Sequence, residues 1–248
     1  MGATTYRGPC YGSVIAPTNI GSGGSGSAGG GAVLFKVTGE TRVDGLIACD
    51  GNPNYTHSGA GGSINIKTGI LRGRGTIQAM GGDRVDNGQV QGSGAGGRIA
   101  IILSEPGADF SPFTGTIQAY GGPGGYAGLG GGAGTVYLED AATTFRYGSV
   151  IIDQQRTNYL RPTEFPPAGD FMEKETDRAT FQLLSHTVMR LTDDFVVGDI
   201  WIDSPNAVLD LNFKTLRVNT GNHLLGSGTV INEGEIIWLS TGTIFKVK

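Results

Sequence analysis

Three histidines (His57, His186, His223) and two cysteines (Cys10, Cys49) make up the chain's stock of soft metal ligands and ready nucleophiles. No two stand at metal-ligand spacing, and two cysteines cannot complete a Cys/His zinc site, so zinc is not expected. The adjacent acids Asp193 and Asp194 would point to opposite faces of a strand and read as a turn or a solvated surface. Asp50-Gly51-Asn52, and Asp83 with Asp86-Asn87, offer loop oxygens of the kind that hold Ca²⁺. Neither matches the full calcium-loop template, and Asx/Gly turns use the same residues, so the metal question stays open. Gly-x-Gly-x-x-Gly-like strings occur without a following helix and cannot cradle a phosphate.

Carbohydrate chemistry makes clearer demands. A hydrolase needs two carboxylates about 5 to 9 Å apart. A lyase needs a basic group near an acid neutraliser. Arg72, Arg74 and Arg98 fall on or near repeat faces, but Arg98 aligns with Ala32, Ser63 and Thr135, without an acidic companion in register. No catalytic residue is nominated, and an enzyme, were it one, would be a polysaccharide lyase or glycoside hydrolase. Sugar binding without catalysis has candidates in Tyr55, Tyr120, Tyr126 and Tyr137, which sit in or beside glycine loops. Tyr120 and Tyr137 are expected to point outward, and a ring beside small residues can offer a flat stacking face. The competing expectation is that these rings cover glycine backbone and are partly buried. Gln78 and Gln118 occupy equivalent outward positions and suit an amide ladder.

These side chains can only be placed by a repeat. Gly30-Gly31-Ala32-Val33-Leu34-Phe35, Gly61-Gly62-Ser63-Ile64-Asn65-Ile66, Gly96-Gly97-Arg98-Ile99-Ala100-Ile101 and Ala133-Gly134-Thr135-Val136-Tyr137-Leu138 align. Each is a small-residue pair followed by period-2 alternation, which puts Val33, Ile64, Ile99 and Val136 on one face. A second set comprises Gly45-Leu46-Ile47-Ala48-Cys49, Gly75-Thr76-Ile77-Gln78-Ala79, Gly115-Thr116-Ile117-Gln118-Ala119 and Gly148-Ser149-Val150-Ile151-Ile152. Cys49 falls in its inward row beside Ala79 and Ala119, as a core thiol. Whether Cys10 and Cys49 are bonded is left open. Strands that match one repeat later, in the same direction, call for parallel stacking. A propeller or sandwich would need more, antiparallel strands per repeat.

Glycine supplies 45 of the 248 residues, 38 of them in the first 150. The glycine runs recur at one phase of the repeat and end on Gly-Gly before an inward strand. That favours ordered, packed loops over mobile linkers. Three regions are expected: glycine-rich repeats at 1–153, an irregular Pro-rich and charged insertion at 154–179, and glycine-poor strands at 180–248 that continue the same stack or form a small separate β domain. The formal charge of −4 argues against nucleic acid. Apolar runs such as Ile99 to Leu103 are too short to span a bilayer. Met1-Gly2-Ala3 leads into a polar segment without a signal-peptide pattern, so the terminus does not report location. The strand-like end, Thr243 to Lys248, invites edge pairing and reads as part of a longer protein or as an end that meets a partner.

The strings Val43-Asp44-Gly45-Leu46-Ile47-Ala48, Gly75-Thr76-Ile77-Gln78-Ala79 and Gly96-Gly97-Arg98-Ile99-Ala100-Ile101 carry a resemblance. With Tyr11-Gly12-Ser13, Ala16-Pro17 and Gly132 to Leu138, they resemble the glycine-rich β-helical repeats of very large secreted or surface proteins of bacteria, over about residues 9 to 153. The resemblance implies an all-β, right-handed parallel β-helix (solenoid) with glycine-rich loops. It also implies an extracellular or cell-surface setting, neighbouring domains in a longer chain and an adhesive or structural role, with a polysaccharide or cell-surface glycan as the expected partner. The alternatives are a carbohydrate-binding or carbohydrate-active β-helix and a phage-type fibre. The family supplies no catalytic motif to transfer, and no cofactor is expected beyond Ca²⁺ at the acidic loops.

Overall fold

The computed structural model describes residues 8, 10–83, 85, 92–123, 130–141, 148–155, 161–167, 176–219 and 226–239, and the backbone of 243–247. Among them there are strands and no helix. The chain is all-β, and its sheets are mostly parallel.

The first repeat contributes β1 (Ala32–Lys36), β2 (Glu40–Arg42) and β3 (Leu46–Ala48). The second contributes β4 (Ser63–Thr68), β5 (Ile70–Arg72) and β6 (Thr76–Gln78), and the third β7 (Arg98–Leu103) and β8 (Thr116–Gln118). The next strand, β9 (Thr135–Glu139), stacks on β7. Like strands pair in parallel and in the register the sequence predicts, Val33 on Ile64 on Ile99 on Val136 and Ile47 on Ile77 on Ile117. The inward rows close into one core containing Ile64, Ile66, Ile77, Ile99 and Ile101, all 0 % exposed, with Cys49, Ala79 and Ala119 beside them. Each such isoleucine contributes roughly 1.5 to 3 kcal/mol. Cys49 is not bonded to Cys10, and burial pushes its thiol up.

The described glycine loops are ordered by their own backbone. Outgoing and returning arms alternate like the teeth of a zipper. Gly59 N–H donates to Asn52, Gly82 to Gly59, Gly94 to Gly82, Gly122 to Gly94 and Gly131 to Gly122. The Gln154 side chain caps the last carbonyl, its Nε2 donating to Gly131 O at 2.9 Å. Amide-to-carbonyl contact at this separation leaves no room for side chains. A Cβ on Gly94 would stand 1.8 Å from Gly59 O, and one on Gly131 1.8 Å from Gly94 O.

The expected continuation of the second set through residues 148–152 is corrected. β10 (Ser149–Gln154) pairs antiparallel with β9, not with β8, setting Val150 opposite Tyr137 and Ile151 opposite Val136. The reason lies in its residues: Val150 and Ile152 are apolar on one face and Ile151 on the other, which suits a strand between two cores. Val150 and Ile152 join a second core with Tyr137, while Ile151 packs against the first. Strand direction and buried face therefore reverse together at β9–β10.

Beyond that wall the chain forms β11 (Thr163–Phe165), β12 (Thr180–Ser185), β13 (Val188–Leu191), β14 (Phe195–Val197), β15 (Asp199–Ile202), β16 (Val208–Asp210), β17 (Thr215–Val218), β18 (Thr229–Ile231), β19 (Gly234–Trp238) and β20 (Thr243–Val247). β12 and β15 extend the wall to seven strands, while β11-β13-β16-β18 and β14-β17-β19 build two further parallel sheets. β11 lies where an irregular connection was expected. Its Thr-Glu-Phe alternation buries Thr163 and Phe165, and pairs them with Met189 and Leu191. β20 pairs antiparallel with β19. One ring from each wall meets at the centre: Phe165, Phe181 and Phe195, with centroids 5.3 to 5.7 Å apart.

Candidate functional site

The face of the wall that bears Ser63, Arg98 and Thr135, expected to look outward, is covered. The N-terminal segment crosses it, seating Val14 at 0 % exposure. Ser63 Oγ donates to Asn19 O at 2.6 Å, and Tyr11 OH donates to Ile20 O at 2.9 Å. Between this segment, the glycine ends of the repeats and residues 161–167 lies a cavity of about 530 Å³. Gly94 to Gly97 and Gly130 to Gly134 form one side of it, with Arg98, Thr135, Thr163 and Glu164 around it and exposed His57 at its edge.

Arg98, Arg161 and Glu164 are charged residues of this lining, and Arg98 is the one carried by a wall strand. Its guanidinium carbon stands 5.1 Å from the centre of the Tyr11 ring, and Nη1 donates to Tyr11 O. Nε is buried without a partner, and so is Thr135 Oγ1 in the neighbouring ladder position. Burial holds the Arg98 pKa below the ordinary guanidinium value. Arg72 and Arg74 differ. Arg72 Nε donates to Glu40 Oε2 at 2.9 Å across the β2–β5 pair, and Arg74 adds to the hydrogen bond from Arg42 that holds the Asp44 carboxyl down.

The described tyrosine candidates, Tyr55, Tyr120 and Tyr137, stand in different surroundings. Tyr55 is 59 % exposed on its loop. Tyr120 is half-buried against a separate pocket of about 90 Å³ lined by Val136, Leu138, Ile151 and Asp153. Burial and the hydrogen-bonded Asp153 push its phenol up to about 12. Tyr137 corrects the outward expectation, being 4 % exposed. Its ring closes on Gly148, where a Cβ would stand 2.3 Å away, and its hydroxyl donates to Glu139 Oε2 at 2.6 Å. Burial, then Glu139, raise its pKa. Tyr126 lies outside the described residues.

Asp50 is committed to structure. It accepts from Gln78 Nε2 and from Met80 N–H, and Gln118 Nε2 donates on to Gln78 Oε1 at 3.0 Å, completing the expected amide ladder. The backbone oxygen of Asp83 accepts from Ser58 Oγ, while Asp86 and Asn87 lie outside the described residues. Among the described residues no three His, Cys, Asp or Glu side chains gather as metal ligands. Asp194 Oδ1 accepts from Thr215 N–H and Asp193 Oδ1 from Asp194 N–H, so both exposed carboxylates are engaged with backbone. Among the described residues no helix is long and apolar enough to cross a membrane.

Sequence reading missed the cavity because its cover comes from residues 10–20 and 161–167, outside the aligned repeats. One signal was present: a lone arginine in a column of small residues. Comparison with protein-family models, with curated proteins and with solved structures finds no match for the chain.

Proposed function

We propose that the chain winds as a right-handed parallel β-helix in two successive units that share one wall. We further propose that it serves as a structural, adhesive module of an extracellular or cell-surface protein. The observation that carries this is the unbroken register of like strands one repeat apart, locked by glycine arms whose amides bond from layer to layer. Such a stack builds length and stiffness from backbone alone. Right-handedness follows from the strong preference of parallel crossovers. Reversing strand direction and core face together, while strands continue to add on the same side, keeps one winding sense through both units.

The test is a binding and turnover screen. The protein coupled to beads is offered to cell surfaces and to immobilised neutral and acidic polysaccharides, and soluble polysaccharides are assayed for cleavage. Retention without cleavage is expected. Cleavage would overturn the structural reading. A trimer in light scattering would favour the phage-fibre alternative.

A further inference from the structure

We propose that the cavity beneath the N-terminal segment is a binding site for a sugar acid, whose carboxylate is received by Arg98. The inference does not depend on the adhesive reading. The Arg98 guanidinium is largely withdrawn from water, yet no carboxylate among the described residues pairs with it. Its bonded partner is the neutral carbonyl of Tyr11, its stacking partner is the Tyr11 ring, and Nε has none. A withdrawn cation demands an anion, and a guanidinium fits the planar oxygens of a carboxylate best. The arginine does not sit on a flat surface; it borders a cavity of about 530 Å³, within the size range of small-molecule sites.

The walls specify the rest of the ligand. Ser58 Oγ donates to Asp83 O, Ser93 Oγ to Pro123 O and Thr163 Oγ1 to Ala133 O. Each hydroxyl has used its proton and keeps acceptor capacity for an incoming donor, that of Ser58 reduced by the Asn54 N–H it already accepts at 3.1 Å. Thr135 Oγ1 adds an unpartnered hydroxyl in register with Arg98. Arg98, with Arg161 also on the lining, is complementary to a carboxylate, while Glu164 and the hydroxyl oxygens are complementary to many O–H donors. Stacked glycine backbone gives it space without side chains.

The experiment is calorimetric titration of the full chain with galacturonic acid, galactose and N-acetylglycine. Galacturonic acid should bind and raise the melting temperature. Galactose, lacking the carboxylate, should bind about tenfold or more weaker, the usual weight of a charge-assisted hydrogen bond. Arg98→Gln should lose the same factor for galacturonic acid and make its affinity equal to that of galactose. Thr135→Val provides a test that does not hinge on folding of the arginine variant. Because its hydroxyl is unpaired, the unliganded variant should melt no lower than the parent, while its affinity for galacturonic acid falls. Absence of galacturonic acid binding, equal affinity for galactose, or unchanged affinity in Arg98→Gln overturns the proposal. Tighter binding of N-acetylglycine overturns the assignment to a sugar.

Discussion

Four glycines occupy the same position in successive repeats, yet they should not respond alike to alanine. Gly31, Gly62, Gly97 and Gly134 each stand just before the wall strand. A Cβ on Gly97 would lie 2.1 Å from Gly62 O, and one on Gly134 would lie 1.9 Å from Gly97 O. At Gly31, on the outermost strand, it would meet nothing within 4 Å. Gly97→Ala must push neighbouring layers apart by about 1 Å to reach ordinary contact. Two bonds cross that gap: Gly97 N–H to Ala79 O at 2.8 Å and Arg98 N–H to Gly62 O at 2.9 Å. Stretching both beyond hydrogen-bonding distance costs about 2 kcal/mol, and about 4 with the strain of overpacking. Gly31→Ala loses no contact and restricts the unfolded chain, so it should be neutral or stabilising by up to about 1 kcal/mol. Urea unfolding followed by circular dichroism measures both. A Gly97→Ala cost within about 1 kcal/mol of Gly31→Ala would refute the claim that glycine is required here by layer contact.

Three further outcomes follow from single groups. Asp210 is 0 % exposed and accepts from Arg190 Nε at 2.6 Å, Asn232 Nδ2 at 2.6 Å and Asn212 N–H at 3.0 Å. Asp210→Ala should therefore cost about 3 kcal/mol in urea unfolding, and Asp210→Asn less. Asp50→Ala strands Gln78 Nε2 and Met80 N–H at the start of the amide ladder, and should lower stability by about 1 to 3 kcal/mol in the same assay. The Tyr120 phenol rises from 10.0 to about 12 on folding, so the unfolded chain releases that proton first. Its contribution is complete below pH 10 and drains away as pH rises towards 12. A Tyr120→Phe variant should show a shallower loss of melting temperature across that window.

The two alignments were legible because period-2 alternation and a glycine pair leave marks that survive in any one repeat. Val33, Ile64, Ile99 and Val136 announce both face and register. Direction leaves no such mark. Ser149-Val150-Ile151-Ile152 alternates equally well read forwards or backwards, so its antiparallel turn onto β9 was hidden. Alternation also separates two faces without saying that either is wet. Tyr137 was assigned to the face opposite the first core, and that phase was right. Its burial comes from the second core, which alternation on a single strand does not announce. The Arg98 cavity was illegible for the same reason.

The steep fall in glycine along the chain is then a record of cross-section. In the first unit the opposed walls approach until backbone meets backbone. A Cβ on Gly30 would stand 2.0 Å from Cys49 O, on Gly61 2.4 Å from Ala79 O and on Gly96 1.9 Å from Ala119 O. Only glycine permits that approach, and the interleaved arms recover in hydrogen bonds part of the entropy that ordering them costs. In the second unit the walls are held apart by Phe165, Phe181 and Phe195, and side-chain volume replaces glycine as the filler. The shared wall joins these two solutions at β10, which is apolar on both faces. One face receives isoleucines from the narrow side and the other receives the larger core, and β10 is the strand where the filler changes.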